Sequence, residues 1–186
     1  LPGSDITISD LGINPTRSAV INFLKSVGAL VEIADKREEF NESIATVRVR
    51  GGLRAADTVR PIVLRGSQIP NLIDEIPVLA ILGTQLSSGL EVRDASELRR
   101  KESDRISTVV ENLKIMGAQV TEFADGFAVK RSQLKGARVD AYDDHRIAMA
   151  FAIAGLLAEG VTEITGAECA NISFPDFYKT LSSVIK

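Results

Sequence analysis

The possible folds of this chain are limited first by its internal repetition. Leu24-Lys25-Ser26-Val27-Gly28-Ala29-Leu30-Val31 reappears as Leu113-Lys114-Ile115-Met116-Gly117-Ala118-Gln119-Val120. Each copy reads as a helix end, a glycine suited to the left-handed C′ position and a following strand. A second echo sets Ala80-Ile81-Leu82-Gly83 through Gly89-Leu90-Glu91-Val92 beside Ala152-Ile153-Ala154-Gly155 through Gly160-Val161-Thr162-Glu163-Ile164. That pattern is an apolar helix, a glycine stop and a strand. Joined in order, the echoes give a unit of helix, strand, helix and two strands, with another strand expected ahead of it.

The apolar period agrees, switching between short alternating runs and longer helical stretches, so the chain is of mixed α/β class. Strands are expected at Ile6–Ser9, Val31–Ile33, Thr46–Arg50, Leu90–Arg93, Gln119–Phe123, Phe127–Lys130 and Thr162–Thr165. Helices are expected at Thr16–Val27, Glu75–Leu86, Asp104–Met116, His145–Ala158 and Pro175–Val184. The first unit begins midway, at the strand near Ile6, and the last ends after its second helix near Val184. With Leu1-Pro2-Gly3 in place of an initiating Met, this predicts a C-terminal piece of a longer protein. A proteolysed or deliberately shortened chain would read the same way.

Composition narrows the function classes. The chain has 186 residues, 45% of them hydrophobic, enough for a core of its own. Its net charge of −3 argues against a protein built to hold nucleic acid, whose affinity comes from clustered Lys and Arg. An aromatic content of 5% without Trp offers no base-stacking platform. One cysteine, Cys169, excludes an internal disulfide and a Cys-rich zinc site, and one histidine, His145, excludes a His-based metal cage. The longest uncharged runs, such as Ile147–Ala158, fall short of the roughly 20 apolar residues a bilayer requires. No leader opens the sequence, and the expectation is a cytoplasmic protein with no membrane partner. Neither GxGxxG, GxxxxGK[ST] nor GxSxG occurs.

What remains is a pattern of charges at the mouths of apolar helices. Asp74 precedes Glu75-Ile76-Pro77, and its plainer reading is a helix N-cap. Lys101-Glu102-Ser103-Asp104-Arg105-Ile106 places Lys101 and Arg105 four apart and Glu102 and Arg105 three apart, on one face of a helical turn. Two cations at a helix N-terminus oppose the macrodipole, so an anion should compensate them: either a bound phosphate or carboxylate, or Glu102 and Asp104 on a solvated surface. Asp143-Asp144-His145-Arg146 puts another cation at the entrance of a buried helix. Arg105 and Arg146 occupy similar mouths in successive units, so units packed side by side would bring both guanidinium groups to one anion. Arg17 occupies the same kind of place, as a third contact or as a solvated side chain.

At these residues the chain resembles the C-terminal part of the 5-enolpyruvylshikimate-3-phosphate synthases, the 3-phosphoshikimate 1-carboxyvinyltransferases. The matching segments are Gly12-Ile13-Asn14-Pro15-Thr16-Arg17, Ile73-Asp74-Glu75-Ile76-Pro77, Lys101-Glu102-Ser103-Asp104-Arg105-Ile106, Asp143-Asp144-His145-Arg146-Ile147-Ala148-Met149 and Ser173-Phe174-Pro175, in family order over nearly the whole chain. The resemblance implies an inverse α/β barrel of βαβαββ repeats, helices buried and sheets outside, incomplete at its N-terminal end. Residues 1–186 would be a single C-terminal domain whose partner, the N-terminal domain, is missing.

The family transfers the carboxyvinyl group of phosphoenolpyruvate to the 5-hydroxyl of shikimate 3-phosphate and releases phosphate, with no organic cofactor or obligatory metal. By motif position, the resemblance implies that Asp74 binds the shikimate hydroxyls and accepts the 5-OH proton. Glu102 would exchange a proton at the methylene carbon, with Lys101 assisting. Arg105 and Arg146 would clamp phosphoenolpyruvate, with His145 a supporting donor. Carboxylates of tuned pKa move protons, and arginine forks match phosphate and carboxylate oxygens. One departure is Ile172, where many relatives place a further lysine. The fragment alone is expected to be inactive and the full-length protein a monomer. The alternatives are a UDP-N-acetylglucosamine enolpyruvyl transferase and a noncatalytic module on the same fold.

Overall fold

The computed structural model describes residues 1–14, 18–53 and 61–185. The chain divides into two compact units, Leu1–Asp57 and Thr58–Lys186.

The first unit runs β1 (Asp5–Gly12), α1 (Ala19–Ser26), β2 (Leu30–Glu39) and β3 (Glu42–Arg50). Its sheet has the order β1-β3-β2, antiparallel throughout. Ile21, Phe23 and Val27 of the helix segment and Ala45 and Val47 of β3 are buried. Strands β2 and β3 reach well beyond the expected Val31–Ile33 and Thr46–Arg50. They meet at Phe40-Asn41, both of which have positive φ, as a two-residue hairpin turn with the strand twist requires. Arg17 and the expected helix start at Thr16 lie outside the described residues.

The second unit holds the complete repeat: β4 (Ile62–Leu64), a short α2 (Ile69–Leu72), α3 (Ile76–Gly83), β5 (Leu90–Val92), α4 (Arg105–Ile115), β6 (Val120–Phe123) and β7 (Gly126–Val129). The sheet order is β4-β5-β7-β6, with β4 and β5 parallel and the other pairs antiparallel. Parallel neighbours need a crossover, which α3 supplies. The chain then continues through β8 (Arg138–Asp140), α5 (His145–Leu157), β9 (Glu163–Thr165) and α6 (Phe177–Val184), with β8 and β9 parallel. Ile76, Leu79, Ala80 and Ile81 of α3, Ile106, Val109, Val110 and Leu113 of α4, and Ile147, Ala148 and Phe151 of α5 form the buried interior. β4 and β8 went unforeseen because three residues are too short to display a period, and unlike the equally short β5 and β9 they lie outside the helix-glycine-strand echo.

The first echo is chemically the same device twice. Gly28 and Gly117 have φ of +88° and +83°. Their amides donate to Lys25 O and Lys114 O, while the next amides donate to Leu24 O at 2.9 Å and Leu113 O at 2.8 Å. This is the Schellman closure of a helix C-terminus. The second echo corrects the expectation of a stop, for Gly83 is the last residue of α3 and Gly155 lies inside α5. Gly83 is there for close approach: a Cβ on it would sit 2.5 Å from Val129 Cγ1 and 2.8 Å from Leu90 Cβ.

Candidate active site

Two aspartates start the two helices that carry the arginines. Asp104 caps α4 by accepting from the Ser107 amide at 3.1 Å, and Asp144 caps α5 by accepting from the Arg146 amide at 2.9 Å. Arg105 is therefore the first residue of α4, while His145 and Arg146 are the first two of α5. Asn112, fully buried on α4, ties the two segments together: its Nδ2 donates to Asp140 O at 2.7 Å, and the Asp140 amide donates to its Oδ1 at 3.1 Å. Beyond Asp140, Tyr142 and Asp143 both take positive φ, turning the chain so that Asp144 points inward.

Arg105 is the centre of the site, its side chain 2% exposed. Its Nε and Nη2 donate to the two oxygens of Asp144 at 2.8 and 3.2 Å, and Asp144 is itself sealed from solvent. Nη2 also donates to Glu102 Oε2 at 2.7 Å, and Nη1 to Asp74 Oδ1 at 3.2 Å. Arg146 approaches Asp74 from the other side, with Nη2 3.5 Å from Asp74 Oδ2 and Nη1 donating to the Asp74 carbonyl at 3.2 Å. It also lies 3.8 Å from Glu75 Oε1. Asp74 is thus held between two guanidinium groups.

Burial divides the carboxylates into two kinds. Asp144 is inaccessible, whereas Asp74 and Glu102 keep 40% and 50% of their side chains in solvent and can be displaced. Burial pushes the Asp144 carboxyl up. The Arg105 bond and charge, with the Arg146 amide and the Ser103 hydroxyl, outweigh this and hold it below the usual carboxylate range. Burial likewise works against the Arg105 charge, but the Asp144 bond and the three surrounding carboxylates keep its pKa above the ordinary arginine value. Beside this network lies a cleft of about 180 Å³, with Asp74, Glu75 and Arg146 at its polar edge and Val78, Met149 and Phe177 on its apolar side.

Several expectations change. Asp74 is not a cap, because α3 starts at Ile76 with Glu75 in the cap position and no side-chain cap, and the Asp74 carboxylate turns to the arginines instead. Lys101 does not share a helical face with Arg105. It sits at an extended residue that ends a short 3-10 turn, Ser96–Arg100, and its ion pair is with Glu97 at 3.1 Å. Among the described residues no ion pair joins it to Asp74, Glu102 or Asp144. The charge excess at the helix mouth is met by the protein's own Asp144, Glu102 and Asp74. His145 is half-buried at the start of α5. Ile172 is 75% exposed. Sequence reasoning passed over Asp144, whose signal was its place immediately before an apolar helix, and Asn112, which carried none.

Among the described residues no cluster of His, Cys, Asp and Glu is arranged to hold a metal ion, and no helix is long and apolar enough to cross a membrane. The model of the EPSP synthase family, 3-phosphoshikimate 1-carboxyvinyltransferase, matches residues 1–181. The chain belongs to this family. Among the EPSP synthases, the 3-phosphoshikimate 1-carboxyvinyltransferase of Pelotomaculum thermopropionicum is 46% identical over 186 residues, all of this chain and 42% of that protein. That of Synechococcus sp. (strain JA-3-3Ab) is 44% identical over 186 residues, all of this chain and 41% of that protein. The solved EPSP synthase of Acinetobacter baumannii superposes with a TM-score of 0.89 at 35% identity, over 98% of this chain and 42% of that one. The fold is therefore the mixed α/β EPSP synthase fold, built here on the βαβαββ unit. The chain spans about two-fifths of the length of the curated relatives it matches.

Proposed function

We propose that the protein to which this chain belongs transfers the carboxyvinyl group of phosphoenolpyruvate to the 5-hydroxyl of shikimate 3-phosphate, releasing phosphate. The observation that carries this reading is the pair of guanidinium groups of Arg105 and Arg146, both held against Asp74, with Glu102 on the same Arg105 fork. A donor carrying a phosphate and a carboxylate needs two forked cations at close quarters, and Asp74 and Glu102 are the exposed anions such a donor would replace. In this reading Asp74, once released, accepts the 5-OH proton and Glu102 exchanges a proton at the methylene carbon, with Arg105 and Arg146 stabilising the charge that develops on the donor. The reading gives Lys101, next to Glu102 in sequence, the part of proton-transfer assistant and His145, next to Arg146, that of hydrogen-bond donor. No organic cofactor or metal enters this scheme.

The described carboxylates Asp74, Glu75, Glu102 and Asp144 outnumber Arg105 and Arg146 at the site, so a polyanionic donor needs further cations. The reading assigns these to the portion of the protein that this chain lacks. It follows that the chain alone is inactive, and that closure with the missing portion completes the site and excludes water. The curated relatives reported above all carry the shikimate name, so a UDP-sugar acceptor is not the reading they support.

The test is phosphate release with both substrates, measured for the full reading frame and for this chain alone. Turnover by the full protein that disappears in the chain alone is expected. Equal turnover by the chain alone would refute the division of labour, and no turnover by the full protein would refute the reaction.

A further inference from the structure

We propose that Asp144 is a positioning residue, a single sealed carboxylate that sets the direction of both donor-binding arginines. This rests on the reading that Arg105 and Arg146 bind the enolpyruvyl donor. Asp144 touches neither solvent nor cleft, so it acts only through its neighbours. Its Oδ2 accepts from Arg105 Nε at 2.8 Å and from Ser103 Oγ at 3.0 Å, and its Oδ1 accepts from Arg105 Nη2 at 3.2 Å and from the Arg146 amide at 2.9 Å.

A guanidinium is planar, and fixing its Nε edge fixes where the rest of the fork points. With Nε and one Nη2 donor on Asp144, the remaining donors face Glu102 and Asp74. The same carboxylate caps α5 and so fixes the helix start from which Arg146 reaches the Asp74 carbonyl. The connection before it is held in a costly shape, Tyr142 and Asp143 at φ of +53° and +54°, with Asn112 gripping Asp140 from α4. An incoming anion therefore exchanges with Asp74 and Glu102, which water already reaches, while Asp144 keeps its hold on Arg105.

Steady-state kinetics on the full reading frame, with phosphoenolpyruvate and shikimate 3-phosphate varied separately, tests this. Asp144→Asn keeps the shape and one capping acceptor but loses the charge. If Asp144 were only a counterweight, removing a negative charge near an anionic donor would lower the donor KM. Positioning predicts the reverse: a donor KM at least about tenfold higher, with the acceptor KM changed less than about twofold. Ser103→Ala removes one hydrogen bond to Asp144 and touches neither arginine. It should raise the donor KM about two- to fivefold with the same split, and it decides the matter if Asp144→Asn does not fold.

A second readout is independent of turnover. The Arg105 Nε–H resonance should exchange slowly with water in the unsubstituted protein and measurably faster in Ser103→Ala. A donor KM that falls or stays put in both variants, a rise shared equally by both substrates, or unaltered Nε–H exchange overturns the proposal. An unsubstituted protein that turns over neither substrate overturns the functional reading instead, and the exchange rates alone then decide whether Asp144 positions Arg105.

Discussion

Replacing Arg105 by Met removes the one cation that Asp144 pairs with among the described residues and leaves that carboxylate sealed, with the Ser103 hydroxyl and the Arg146 amide as its remaining donors. Breaking a buried pair in this way costs about 3–5 kcal/mol, because one charge stays behind without its partner. Asp74 and Glu102 add little, since both are exposed enough to be rehydrated. The pH dependence follows from the direction of the Asp144 shift. Its native pKa is depressed, so the stabilisation is fully present above the unfolded value of about 3.9 and is lost as pH falls through the lower native value.

In the variant, burial acts unopposed by Arg105 and the carboxyl titrates upward instead. The penalty should therefore be about 3–5 kcal/mol at pH 7, begin to shrink as pH falls through the raised pKa of the variant's Asp144, and shrink further below about 4, where the unsubstituted protein loses its own stabilisation. Urea unfolding at both pH values reads this as a shift of about 2 M in midpoint at neutral pH, given a slope of about 2 kcal/mol per M. Arg105→Met combined with Asp144→Leu, which removes both charges, should recover most of the loss. A loss under about 1 kcal/mol at pH 7, or one that does not change with pH, would show that Asp144 is not an uncompensated buried charge in the variant.

Other outcomes follow from the same structure. Gly83→Ala drives a methyl into Val129 and Leu90 and should cost about 1–3 kcal/mol, whereas Gly155→Ala meets Thr162 Cβ at 3.2 Å and should cost under about 1 kcal/mol; equal thermal shifts would speak against this difference. The Tyr142 hydroxyl donates to Glu111 at 2.7 Å, and that bond with burial pushes its pKa up to about 12. Glu111→Gln should bring it back toward the ordinary value of about 10, seen as phenolate absorbance appearing at lower pH, and superimposable titrations would count against the assignment. Asn112→Ala strips two hydrogen bonds from the Asp140 backbone and should lower stability by about 2–4 kcal/mol, a loss that an unchanged urea midpoint would disprove.

What could be read in the sequence was chemistry confined to a few neighbouring residues. The Gly28 and Gly117 closures need only a helix end and a residue tolerant of positive φ, so their echo could be read directly. The Ala34–Ser43 part of the first hairpin could not, because the side chains from Asp35 to Glu42 are exposed and leave no alternation to detect. Gly83 and Gly155 looked like one motif, but Gly83 is pressed by Val129, a strand residue distant in sequence, as well as by Leu90, whereas Gly155 meets only the nearby Thr162.

At the site the same divide holds. Glu102 and Arg105 are three apart, and their pairing is a local fact of the turn that starts α4. Asp74 looked like a cap because its neighbours invite one. Its true partners, Arg105 and Arg146, are 31 and 72 residues away, and tertiary attraction between unlike charges prevailed over a local hydrogen bond. Lys101 fell off the expected face because the helix begins four residues later, at Arg105.

Arg105 and Arg146 should act as one unit on the phosphoenolpyruvate donor, and a double-mutant cycle reads that coupling. It compares kcat/KM for the donor in the full-length protein, in Arg105→Lys, in Arg146→Lys and in the double variant. Strong non-additivity is expected, a coupling of at least about 1 kcal/mol, because each lysine already spoils the shared geometry at Asp74. Effects that simply add, within about 0.3–0.5 kcal/mol, would mean that the two arginines bind independently.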